Sequence, residues 1–120
     1  MFNWLILGTD AHAKNYSVLL SGTAARLAPL YDVASALPYG DHPKKCRLAM
    51  KIAGSYRPTD LDADHWHRAA GEIGVDGDWL VERGAQICSE LPEAFSEAAK
   101  ATGLDAPRNL VDTIAAWTRQ

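Results

Sequence analysis

Apolar residues fall into two textures along this chain. Up to about residue 60 they come in short runs, such as 4–7 and 18–20, cut by polar clusters; beyond it they recur at intervals of three and four, the period of a helix with one buried face. The first texture predicts short elements. Residues 2–7 read as the last turns of a helix that Gly8 ends. Residues 16–20 and 26–28 read as the strands of a hairpin turning through 21–25. Residues 33–37 form a short expected helix stopped by Pro38, 38–45 an exposed loop, 46–52 a strand and 54–59 a turn-rich connection. The second texture predicts long helices. Asp62 caps one over 63–73 that Gly74 terminates. A longer one, 78–102, lines up Leu80, Gly84, Ile87, Leu91, Phe95 and Ala98, with Pro92 as a kink or division and Gly103 as its end. Pro107 opens a last helix whose Leu110, Val111, Ile114 and Trp117 share a face. The expected fold is therefore α+β and mainly helical: one domain, with loop and hairpin in 1–60 and a helical body in 61–120.

Composition narrows the class. At 120 residues with 48% hydrophobic and 22% charged residues, the chain is of ordinary globular make-up. A net charge of -3, with no Lys/Arg stripe, gives no electrostatic reason to expect direct nucleic-acid binding. Apolar runs are too short to span a membrane, and no secretory pattern opens the sequence. Cys46 and Cys88 make no disulfide framework or zinc motif, which fits a reducing, cytoplasmic setting.

The stretch GTDAHAKN, residues 8–15, concentrates the polar chemistry. Asp10 and Asn15 have four residues between them, and Asp32 follows the hairpin. Phosphoryl transfer in the protein-kinase manner uses such a set: a carboxylate for the attacking hydroxyl, a carboxamide oxygen and a second carboxylate for magnesium. Magnesium takes oxygen donors of the kind Asn15 and Asp32 offer beside a nucleotide's phosphates, and Lys14 could balance phosphate charge. The bland alternative is that Asp10 is a turn or cap residue after Gly8 and Thr9. A metal-dependent hydrolase using Asp10, His12 and Asp32 also accounts for the acids and the imidazole, but it leaves Lys14 and Asn15 idle and offers few nitrogen ligands. His65 and His67, two apart on a helix, do not face one way. Trp66 and Trp79 read as packing residues, and Lys44, Lys45, Arg47 and Lys51 as solvated cations.

TDAHAKN at 9–15 together with LAPLYDVASALPY at 27–39 closely resembles the catalytic region of HipA-type serine/threonine kinases, toxins of bacterial toxin–antitoxin modules; LAMKIAG at 48–54 and DADHWHRAAGEIGV at 62–75 extend the likeness. The resemblance implies a kinase-like C-terminal lobe in which Asp10 is the catalytic base and Asn15 and Asp32 hold Mg2+. It places Lys14 near the phosphates of ATP and gives His12 a loop-holding hydrogen bond, while Tyr31 and Ser35 shape the turn around Asp32. A protein substrate and an antitoxin are the implied partners. Only nine residues precede Asp10, so the glycine-rich cover and the lysine–glutamate pair of a kinase N-terminal lobe are expected to be absent, and the chain alone to be poorly active. An alternative function is a helical interaction module that binds an antitoxin or a missing kinase half, through the apolar face of the helix expected over 78–102.

Overall fold

The computed structural model describes residues 1–39 and 43–103, with the single positions 112 and 116. Helix α1 is Phe2–Leu5. A 3-10 turn at Ala13–Asn15 leads into β1, Val18–Ser21, which pairs antiparallel with β2, Ala24–Leu27. Short 3-10 turns follow at Leu37–Tyr39, Pro43–Lys45 and Pro58–Asp60. Helices α2, Ala63–Ile73, and α3, Gly77–Thr102, pack on each other and complete an α+β, mostly helical fold.

The first two helices of the expected helical body are present. Asp62 accepts the His65 backbone N–H at 2.9 Å and also bonds the His65 ring at 2.7 Å. These bonds, the ring's first, hold the Asp62 carboxyl below its ordinary pKa. Gly74 and Gly103 end α2 and α3 in the left-handed region. α3 starts one residue before the expected 78, because Asp76 caps it by accepting from Trp79 N at 2.7 Å. Pro92 lies inside α3 without dividing it. Leu91 is buried, whereas Ala98 and Trp79 are exposed, so the apolar stripe is shorter than its spacing and Trp79 is no packing residue. The last expected helix, with Leu110, Val111, Ile114 and Trp117, lies outside the described residues.

Two adjoining cores hold the pieces together. Leu5, Ile6 and Leu7 pack with Leu37 and Leu91, flanked by Ile87 and Phe95. Leu48, Leu61 and Trp66 form the second cluster. There the ring of Trp4 meets that of Trp66 at 5.4 Å, nearly edge to face, and Trp4 Nε1 donates to the Pro58 carbonyl at 2.9 Å. The segment leaving α1 is thus anchored on α3 immediately before the polar loop begins.

Three local expectations fail for identifiable reasons. α1 ends through Leu7, at φ 52°, not through Gly8. Leu7 is fully buried, and that burial offsets a conformation costly to a residue with a Cβ. Gly8 serves close approach instead: a Cβ there would stand 3.1 Å from the Asn3 carbonyl oxygen and 3.2 Å from that of Ala34. Residues 33–37 form no helix, since Ala36 N donates to Leu7 O and Ser35 Oγ to Ile6 O; the backbone finds remote partners in place of local ones. Residues 46–52 are not a strand either. They are tied back by Leu48 N to Tyr56 O at 2.7 Å and by a lone bridge between Ile52 and Ser55, with Arg47 and Lys51 both lying over the Tyr56 ring.

Candidate active site

The polar loop is folded on its own carbonyls. Asp10 O accepts from His12 N at 2.8 Å and from the Asn15 side-chain Nδ2 at 3.1 Å, while His12 O accepts from Asn15 N at 3.0 Å. Asn15 is 7% exposed, whereas Asp10, Lys14 and Asp32 are exposed. A buried amide needs its polar atoms satisfied. Nδ2 is spent on the Asp10 carbonyl, and no described residue donates to Asn15 Oδ1. His12 holds the loop through its backbone; its ring Nδ1 is buried with no hydrogen-bond partner among the described residues.

Asp32 sits at φ 54°, in the left-handed region that Asp enters more readily than most residues with a Cβ, and its neighbours are tied down. Tyr31 Oη donates to Lys14 O at 2.6 Å and lies 3.2 Å from Ser17 Oγ. On the other side Ser35 Oγ donates to Ile6 O at 2.5 Å and accepts from Leu37 N at 3.2 Å. The hairpin carries the chain away and back, and these bonds stitch the returning turn onto the segment that holds Asp10 and Asn15.

Ties of this kind were the part hidden in the sequence. Asn3 Nδ2 donates to Tyr16 Oη at 2.8 Å, a link whose one signal is a polar residue within the apolar run 2–7. The other sequence candidates go elsewhere: His65 bonds Asp62, and His67 Nε2 lies 3.7 Å from Asp78 Oδ1. Among the described residues no three His, Cys, Asp or Glu side chains could hold a metal together, so the hydrolase grouping of Asp10, His12 and Asp32 is not formed. An open apolar cleft of about 480 Å3, lined in part by Trp4, Leu48, Ile52 and Trp66, adjoins the loop at Ala11 and Tyr16. Asp10, Asn15 and Asp32 are not in its wall, and they, not the cleft, carry the polar chemistry.

The model of the HipA-like C-terminal domain family matches residues 1–107. This chain belongs to that family. It is 32% identical over 102 residues to the putative kinase Y4mE of Sinorhizobium fredii, covering 85% of this chain and 24% of that protein. It is also 29% identical over 97 residues to the serine/threonine-protein kinase toxin HipA of Shewanella oneidensis, covering 81% of this chain and 22% of the relative. Among solved structures, the complex of HipA, HipB and operator DNA from S. oneidensis MR-1 contains a similar fold. The TM-score is 0.73 at 24% identity, over 98% of this chain and 27% of the other. The chain thus spans about a quarter of the length of these relatives. Among the described residues no helix is long and apolar enough to cross a membrane.

Proposed function

We propose that this chain is the catalytic part of a HipA-type protein serine/threonine kinase, transferring the γ-phosphoryl group of ATP to a protein hydroxyl. The observation that supports the reading is the hydrogen bond from Tyr31 to the Lys14 carbonyl, which ties the turn carrying Asp32 to the loop carrying Asp10 and Asn15. Asp10, exposed on the loop, accepts the proton of the substrate hydroxyl as that oxygen attacks. Asn15 and Asp32 fit a magnesium ion, because one presents an amide oxygen freed by the Nδ2 bond to Asp10 O and the other an exposed carboxylate. When bound, Mg2+ neutralises charge on the phosphates of ATP. Lys14, exposed beside Asn15, adds positive charge for the same phosphates.

The glycine-rich cover and the paired lysine of a kinase would come from a separate segment. Positioning supplies most of the rate in this reaction, so residues 1–120 alone should transfer phosphate slowly. The S. oneidensis complex supports an antitoxin as partner, and its operator DNA leaves the sequence-based expectation of no nucleic acid without support. A second reading, an interaction module for a kinase half or an antitoxin, is favoured by the exposed hairpin, where Val18, Leu20 and Leu27 are 60%, 79% and 58% accessible. That face is the hairpin, not α3.

Titrating Mg2+–ATP into the 15N-labelled chain tests the first reading. The amides of Asn15 and Asp32 should shift, Asp32→Asn should abolish the response, and Asp10→Asn should preserve it, because the base meets only the protein substrate. Equal loss in both variants, or shifts confined to other residues, would overturn the assignment.

A further inference from the structure

We infer that the Tyr31 hydroxyl is a positioning group that sets the spacing between Asn15 and Asp32, an inference that rests on the proposed role of those two residues as the magnesium pair. The argument begins with connectivity. The Lys14 carbonyl that accepts the Tyr31 proton at 2.6 Å belongs to the same planar peptide unit as the Asn15 N–H. Tyr31 in turn is bonded directly to Asp32. One hydrogen bond therefore joins the peptide carrying one ligand to the residue carrying the other, across a hairpin that would otherwise let them drift.

The hydroxyl, not the ring, makes this connection. Tyr31 is 47% exposed, so packing does little to fix its side chain. Its single proton is committed to Lys14 O, so Ser17, whose Oγ lies 3.2 Å away, must be the donor in that second contact. The phenol oxygen is thereby held between a carbonyl and a hydroxyl at the edge of the hairpin. Asp32, at φ 54°, is clamped on the other side by Ser35 and Ala36, bonded to Ile6 and Leu7. Release of the Tyr31 bond frees the turn on one side only. The fold should survive, while the carboxylate loses its fixed distance from Asn15.

The test uses the 15N-labelled chain with two readouts on Tyr31→Phe. Without metal, the heteronuclear NOE at Asp32 and Val33 should fall while values in α2 and α3 stay unchanged. With Mg2+ alone as the probe, the apparent Kd read at the Asn15 and Asp32 amides should rise roughly three- to tenfold, the worth of one hydrogen bond, and Ser17→Ala should raise it less. Unchanged dynamics and unchanged Kd in Tyr31→Phe would overturn the role of Tyr31 and leave the magnesium assignment standing. No Mg2+ response at those amides in the unsubstituted chain would overturn the assignment and this inference with it. Global unfolding of Tyr31→Phe would make Tyr31 a structural residue and overturn the inference alone.

Discussion

Asp62 and Asp76 cap their helices through bonds that reach three residues along the chain. In the first sixty residues the bonds that matter reach much further: Asn3 to Tyr16 spans 13 positions, Tyr31 to Lys14 spans 17, Ser35 to Ile6 spans 29 and Trp4 to Pro58 spans 54. The helical body is held by its local code and by one apolar stripe. The loop region is held by single polar side chains that close long excursions, and the candidate chemistry lies there. Loop closure carries an entropic cost that rises with length, and α3, packed against 5–7, provides the platform on which that cost is met.

The largest effect should come from removing that platform. Leu91, 5% exposed, sits in the cluster with Leu5, Ile6, Leu7 and Leu37, so Leu91→Ala should destabilise the chain by about 2–5 kcal/mol. Denaturation followed both by far-ultraviolet circular dichroism and by the Asp32 amide should show one shared, lowered midpoint. Separate midpoints would mean that the two regions fold independently.

A smaller loss should follow from Gly8→Ala, which places a Cβ against two backbone carbonyls that cannot move without disturbing α1 or the turn at Ala34. About 1–3 kcal/mol is expected for such crowding, read from urea midpoints. An unchanged midpoint would show that the loop region yields more easily than its long-range bonds imply.

The smallest effect separates the regions by pH. The carboxyl of Asp62 has a lowered pKa in the folded chain, through the His65 side chain first and the His65 backbone second. A depressed carboxyl contributes stability above its unfolded pKa of about 3.9 and loses it as pH falls through the lower folded value. Asp62→Asn keeps a capping oxygen but removes this titration. Its Tm should lie below that of the unsubstituted chain at pH 6 and fall less steeply below about pH 4, so that the two profiles converge in acid. Parallel Tm profiles would deny the cap a role in acid sensitivity.

The same contrast explains what the sequence made legible. Caps, glycine stops and the three-and-four spacing around Leu91 are local signals, and α2 was readable to the residue. The hairpin was readable too, though its strands are displaced by a residue or two, because Gly22 at φ 58° makes a tighter turn than the five-residue one expected. The helix over 33–37 and the strand over 46–52 were misread because both segments look regular in isolation, yet their backbones pair with Leu7 and Tyr56. The candidate residues Asp10, Asn15 and Asp32 were visible as a spacing. What organises them was not, since a tyrosine hydroxyl bonded 17 residues away leaves no periodic trace.

The meeting of Trp4 and Trp66 across the join between the two regions also makes that join visible to light. Two indoles held edge to face couple their electronic transitions and give near-ultraviolet optical activity that vanishes when the rings part. Trp79, 56% exposed, contributes a water-like emission whether or not they do. Among the described residues these three indoles thus form an optical gauge, one pair that reports whether the helical body is seated on its first segment and one exposed ring that adds to the baseline.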